Sequence, residues 1–155
     1  MSANKFTSVL GLALLLLAYN SILGRAEEPG YRVVDNVLIY LGVVPAPMIL
    51  KEYPKGDEER LMHGGVPSEQ GHYHIMIALF DVKTSERISN AQVTASTSEF
   101  GMAREAKNLE PMRMADTTTY CNYFQFKTGT FNVDVSIQIP GRAKEIKVRF
   151  EYSRQ

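Results

Sequence analysis

Residues Met62 to Asp81 concentrate the side chains able to bind a metal. The stretch reads Met-His-Gly-Gly-Val-Pro-Ser-Glu-Gln-Gly-His-Tyr-His-Ile-Met-Ile-Ala-Leu-Phe-Asp. All three histidines of the chain, His63, His72 and His74, fall inside it, together with Met62 and Met76. Its second half has the two-residue alternation of a strand, whose successive side chains point to opposite faces. His72, His74, Met76, Ala78 and Phe80 therefore share one face, with neighbours about 7 Å apart along the strand. Tyr73, Ile75, Ile77 and Leu79 share the other, as a core requires. Imidazole and thioether together suit copper in either oxidation state, and suit calcium or magnesium poorly, since those ions take oxygen. His72 and His74 are the expected primary ligands. Met76 is secondary, as is His63, carried in by a loop that Gly64-Gly65 lets turn sharply. Met112 and Met114 repeat the every-second-residue spacing on another extended segment and are further candidates. Zinc through the three histidines is an alternative, although structural zinc usually has a fuller donor set. The competing explanation is ordinary packing, because methionine commonly fills irregular cores.

The elements that must position these side chains read as strands. Val37 to Val44 is a continuous β-favouring apolar run, expected to be covered on both faces and stopped by Pro45-Ala46-Pro47, with Met48 to Leu50 as a short extended piece. Lys51 to Gly71 has no periodic pattern. A loop of that length is usually functional or disordered, and this one is the expected flap over the histidine row. Ala91, Val93 and Ala95 alternate with polar residues. Ser98 to Lys107 reads as a loop or short helical turn. Asn108 to Met114 contains Pro111, which argues against a central strand and for an edge strand or an extended arm. In Thr119 to Phe126, Tyr120, Phe124 and Phe126 lie on one side and Cys121 and Tyr123 on the other, with Lys127-Thr128-Gly129-Thr130 as a hairpin turn candidate. Phe131 to Ile139 and Ile146 to Tyr152 alternate strictly about Pro140-Gly141, which predicts an antiparallel hairpin with one wet face. Six or seven short strands without an amphipathic helix of real length define an all-β domain. The expected architecture is an immunoglobulin-like antiparallel β-sandwich, with a barrel as the alternative.

The chain opens like an export signal. Lys5 gives a positive start, Val9 to Ala18 is apolar and uncharged, and Gly24-Arg25-Ala26 offers small residues for cleavage after Ala26. The run is short for a membrane span. A periplasmic or secreted location follows, with residues 1–26 as signal peptide and 27–155 as one domain carrying a long loop at about 51–71. Seventeen basic and seventeen acidic residues balance, so nothing in the charge points to nucleic acid or anionic lipid. The single cysteine, Cys121, cannot form an internal disulfide and reads as a buried small side chain. Tyr73 and Tyr123 read as packing residues with their hydroxyls at the rim.

Enzyme templates are missing. The sequence has no Gly-x-Ser-x-Gly elbow, phosphate-binding glycine loop, Cys-x-x-Cys or His-Glu-x-x-His. The acids are scattered over polar strand faces. The reading is therefore non-enzymatic, with no small-molecule substrate indicated.

The His72-Tyr-His-Ile-Met76 strand, the Leu109-Glu-Pro-Met-Arg-Met114 segment and the Tyr120-Cys-Asn-Tyr-Phe124 strand together resemble parts of small exported bacterial β-sandwich proteins, the YtkA-like and copper-resistance C-like groups. The resemblance spans roughly Gly71 to Tyr152. It implies an immunoglobulin-like fold and copper carried on methionine and histidine in the periplasm. Copper-resistance C-type proteins also use a histidine at the mature N-terminus. Here that position is Glu27, and no histidine precedes His63, so a copper site would have to be built from the 63–76 segment. Two functions follow as expectations. One is an exported copper carrier or store. The other is an envelope module that docks a protein or membrane partner through a sheet edge or the 51–71 loop, without metal.

Overall fold

The computed structural model describes residues 30–52, 61–99, 103–114, 116–127 and 130–153, without the side chain of Met114. The signal segment expected over residues 1–26 lies outside them. Eight strands are described: β1 (Tyr31–Val34), β2 (Val37–Pro45), β3 (His72–Asp81), β4 (Gln92–Ser98), β5 (Glu105–Met114), β6 (Thr117–Gln125), β7 (Thr130–Gln138) and β8 (Ile146–Ser153). One short helix, α1 (Ala46–Glu52), follows β2, and Met62–Gly64 forms a 3-10 turn. No described helix is long and apolar enough to cross a membrane.

All pairings are antiparallel, in the order β1-β2-β3-β6-β5-β4-β7-β8. The strands form one continuous sheet that folds over on itself. The hinge is β5: Glu105 to Leu109 pair with β4, whereas Glu110 to Met114 pair with β6. On the far side the Arg32 guanidinium of β1 sits 5.0 Å from the Phe150 ring centre of β8, which nearly closes a barrel. The all-β antiparallel class expected from the sequence is present. The strand count is eight, and the continuous order does not establish the two separate sheets of an immunoglobulin-like layout.

Inside the fold the alternating apolar residues meet. Val37, Ile39, Tyr73, Ile75, Ile77, Leu79, Tyr120 and Phe124 come from one half, and Val93, Ala95, Phe131, Val133, Val135, Ile137, Ile146 and Phe150 from the other. The β7–β8 hairpin forms as its alternation predicts, from Thr130↔Ser153 to Ile137↔Ile146.

Five local expectations change. The Asp35-Asn36 pair joins β1 to β2 with positive φ at both residues, 49° and 60°, as a two-residue type I′ hairpin requires. The sequence reading had placed no strand before Val37. Residues 46–52 are helical, not extended, because a proline in the first helical turn lacks only a donor that has no partner there. Strand β5 begins at Glu105, inside the expected loop, and Pro111 sits where β5 has β6 alone as neighbour. The 127–130 connection is a crossover: β6 pairs with β3 and β5, and β7 with β4 and β8. Phe126 and Phe131 stack at 3.4 Å between ring centres, so core packing of these rings overrides the local turn chemistry. Finally, β2 is covered on one face only, since Tyr40 is exposed.

Candidate metal centre

Register places the site on the outer face of the β3–β6 half. In the ladders Met76 stands opposite Cys121 and His74 opposite Tyr123, while Gly42 and Val44 of β2 flank Met76 and His74. Residues directly opposite in an antiparallel ladder project from the same face. His74, Met76, Cys121 and Tyr123 thus lie on one face, opposite the Tyr73, Ile75 and Phe124 core. Glu110 stands opposite Cys121 from the β5 side, and Met112 opposite Thr119. α1 packs against β2 and β3 at the end of this face.

The third wall is the 61–65 segment. His63 has φ 58° and ψ 26°, a left-handed conformation unusual for a side chain, and Gly64 and Gly65 follow at φ 80° and 99°. A non-glycine residue in that region carries backbone strain. Here the consequence is that the imidazole turns onto the sheet, where its side chain is 1 % exposed. Its ring centre lies 5.6 Å from that of His74 and 5.8 Å from that of Tyr123. The His74 ring stacks on Tyr123 at 4.6 Å.

The donor atoms converge. His63 Nε2 is 3.3 Å from Cys121 Sγ. One donor atom from each of His63, His74 and Cys121 lies within 4.8 Å of the other two. His63 Nδ1, the nitrogen away from the thiol, is 3.0 Å from Glu110 Oε2, at ion-pair distance but off the line of a well-formed hydrogen bond. A carboxylate behind a histidine is the usual outer support of a metal ligand, fixing ring orientation and raising basicity. His74 is 0 % exposed, and neither ring nitrogen has a hydrogen-bond partner. Buried imidazole nitrogens are normally satisfied, and leaving one bare costs about 1–3 kcal/mol.

Electrostatics keep the site ready for a cation. Burial, and then the neighbouring His63, push the His74 pKa down to about 4. Burial also lowers that of His63, against the opposing pull of Glu110. Both rings are thus neutral near pH 7 and offer lone pairs without a proton to displace. Two neutral imidazoles and one thiol, shielded from water, form a donor set for a soft or borderline ion.

The expected ligands divide accordingly. His63 and His74 meet in the cluster. Met76 is beside it, on the same face, with its terminal methyl against Gly42, where an added Cβ would come within 3.1 Å. His72 shares the face but sits at the start of β3, with Nδ1 3.3 Å from the Glu69 carbonyl. It is outside the cluster of three. Met112 is buried on the same face. The Met114 side chain lies outside the described residues. The sequence reading assigned no role to Cys121 or Glu110. For Cys121 a signal existed: the alternation of β6 already put it opposite the core-facing Tyr120 and Phe124.

A folded antiparallel sheet carrying a shielded His-His-Cys cluster on its outer face describes the molecule as a class. No family model and no curated protein sequence matches the chain. Solved structures share its fold. A copper-bound variant of FetP from uropathogenic Escherichia coli superposes with a TM-score of 0.62 at 16 % identity, covering 83 % of this chain and 95 % of FetP. The copper-reconstituted P19 protein of Campylobacter jejuni gives 0.63 at 11 %, with 82 % and 94 % covered. A DUF4426 family protein of Pseudomonas aeruginosa gives 0.54 at 10 %, with 79 % and 94 % covered. At these identities the likeness is one of fold.

Proposed function

We propose that the protein is a non-enzymatic copper-binding protein of the periplasm or cell exterior, serving as a carrier or store. His63, His74 and Cys121 would be the ligands. Met76 stands next to them as a fourth, weaker donor, and the buried Met112 adds a second thioether on the same face; Met114 remains a candidate from its place on β5 alone. The observation that carries this reading is His74: a fully buried imidazole, neutral, with two unsatisfied nitrogens, beside a thiol and a second imidazole. Copper is favoured over zinc by the sulfur-rich neighbourhood and by the copper-bound fold neighbours FetP and P19. The export-like N-terminus supports the location. The test is competition for Cu(I) against a chromogenic chelator. His74→Ala and Cys121→Ser should each weaken binding by at least a hundredfold. Equal affinity in all three proteins would end this reading.

A second reading, docking of an envelope protein, draws on Tyr31, Val33 and Tyr40. These are exposed on the same outer face at the β1–β2 edge. Cross-linking in intact cells, with and without Tyr31→Ser and Tyr40→Ser, would decide it. Loss of a specific adduct in the variant supports docking.

A further inference from the structure

Two imidazoles, one thiolate and a nearby thioether are more than a store needs, and their placement restricts what the bound ion can do. Resting on the copper reading above, we propose that His63, His74, Cys121 and Met76 form a blue-copper-type centre. Such a centre has a His2Cys set with a weak methionine and carries single electrons.

His74 and Cys121 project from β3 and β6, neighbouring strands locked by the ladder from His72↔Gln125 to Ile77↔Tyr120. His63 is held from the third side by a strained turn and by Glu110. The three donor atoms already lie within 4.8 Å of one another, and the closest pair at 3.3 Å. A trigonal N2S arrangement therefore needs only small displacements. Cu(II) left to itself prefers a square arrangement with added oxygen donors. Solvent oxygen is held off this face: the Tyr123 ring covers His74, and the His63 and His74 side chains are shielded from water, while the Glu110 carboxylate stands behind His63 on the nitrogen away from the thiol. Met76 is the directly cross-strand neighbour of Cys121, on the same face, where a long fourth contact would come from. Gly42 leaves the space its terminal methyl occupies.

The chemistry balances simply. On loading, the Cys121 thiol releases its proton to solvent and its sulfur bonds the ion. In turnover one electron enters from a one-electron reductant such as ascorbate, converting Cu(II) to Cu(I), and leaves to a one-electron oxidant. No ligand bond breaks and no further proton moves. The neutral imidazoles and single thiolate leave one positive charge with Cu(II) and none with Cu(I).

The test loads the purified, reduced full chain with one equivalent of Cu(II) and reads visible absorption and electron paramagnetic resonance. An intense blue thiolate-to-copper band with narrow copper hyperfine splitting is expected, bleached by ascorbate and restored by ferricyanide. Cys121→Ser should lose the band entirely, and Met76→Leu should keep it while moving the reduction potential upward. The wild-type spectrum decides the matter even if a variant fails to fold. Tight copper binding with ordinary wide splitting and no band overturns this inference and leaves the copper reading standing. Immediate thiol oxidation to a disulfide-linked dimer also overturns it. Absence of copper binding removes both.

Discussion

The two outer faces of the folded sheet start from the same sequence rule and end in opposite states. On β4, β7 and β8 the outward residues are polar, and several pair with one another. Asp134 accepts from Arg149 Nε at 2.6 Å and also pairs with Arg104, and Thr94 Oγ1 donates to Asn108 Oδ1 at 3.0 Å. On β3 and β6 the outward residues include His74, Cys121 and Tyr123, all three buried, and His74 has no hydrogen-bond partner on either nitrogen. One face has its polar groups solvated and paired. The other holds the His74 imidazole away from water with neither nitrogen hydrogen-bonded, which makes sense when a ligand outside the polypeptide completes it. The lesson is that alternation tells which residues leave the core, and only partner strands and covering segments tell what they meet.

The largest expected contrast comes from His74→Phe. A phenyl ring keeps the stack on Tyr123 and removes both bare nitrogens. Copper affinity should fall at least a hundredfold. The metal-free protein should be as stable as before, or more stable by up to about 2 kcal/mol, because an unsatisfied buried polar group is gone. Urea denaturation measures this. A loss of stability would mean that His74 serves the fold and not a ligand.

Acid should separate the faces next. His74 has its pKa lowered from 6.5 to about 4, so between these values the unfolded chain binds more protons than the folded one. Stability then rises with pH across that window, and is lost on acidification from 6.5 toward 4, by roughly 3 kcal/mol in total. Asp134 is also lowered, from 3.8, chiefly by its hydrogen bond to Arg149. Its contribution is present above 3.8 and disappears only as pH falls further. His74→Phe should therefore flatten the upper part of the metal-free stability profile and leave the lower part intact. A profile unchanged above pH 4 would contradict the burial argument.

Gly42→Ala is a finer probe of the metal face. The added Cβ would stand 3.1 Å from the Met76 terminal methyl, so that flexible side chain must shift by a few tenths of an ångström. Folding stability should change by less than about 1 kcal/mol, since alanine also restrains the unfolded chain. Copper affinity should change about threefold, measured by the same chelator competition. No change in affinity would place Met76 outside the ligand set.

What the sequence made visible follows this division. The wet hairpin 131–152 was plain because each strand's outward side is polar throughout. The histidine-bearing strand was an equally local signal, and the glycine-hinged loop was expected to bring His63 to it as a secondary ligand behind His72 and His74. For Cys121 the alternation of β6 gave the face but not the neighbours, because those depend on β6 lying beside β3, a pairing between residues more than forty positions apart. A small thiol on an apolar strand looks the same whether it packs or ligates. His72 was over-weighted for the reverse reason: it shares a face with His74 but sits where the strand begins, beyond the converging donors. The β1–β2 turn was missed despite a readable Asp-Asn pair, because a four-residue edge strand has too few alternating positions to register.

The smallest expected effect is on the polar face. Asp134→Asn removes a carboxylate held between Arg104 and Arg149, whose side chains are 55 % and 64 % exposed. Water and salt screen such charges, and exposed pairs contribute little to stability. The urea midpoint should move no further than for an ordinary surface substitution, and less in high salt. Copper affinity should not change, because the apolar core separates the two faces. The decisive form is the double variant, His74→Phe with Asp134→Asn. Distant sites that share no partner add to within about 0.5 kcal/mol. A larger departure from additivity would mean that strain on the metal face reaches the ionic face through β5, the one strand common to both halves.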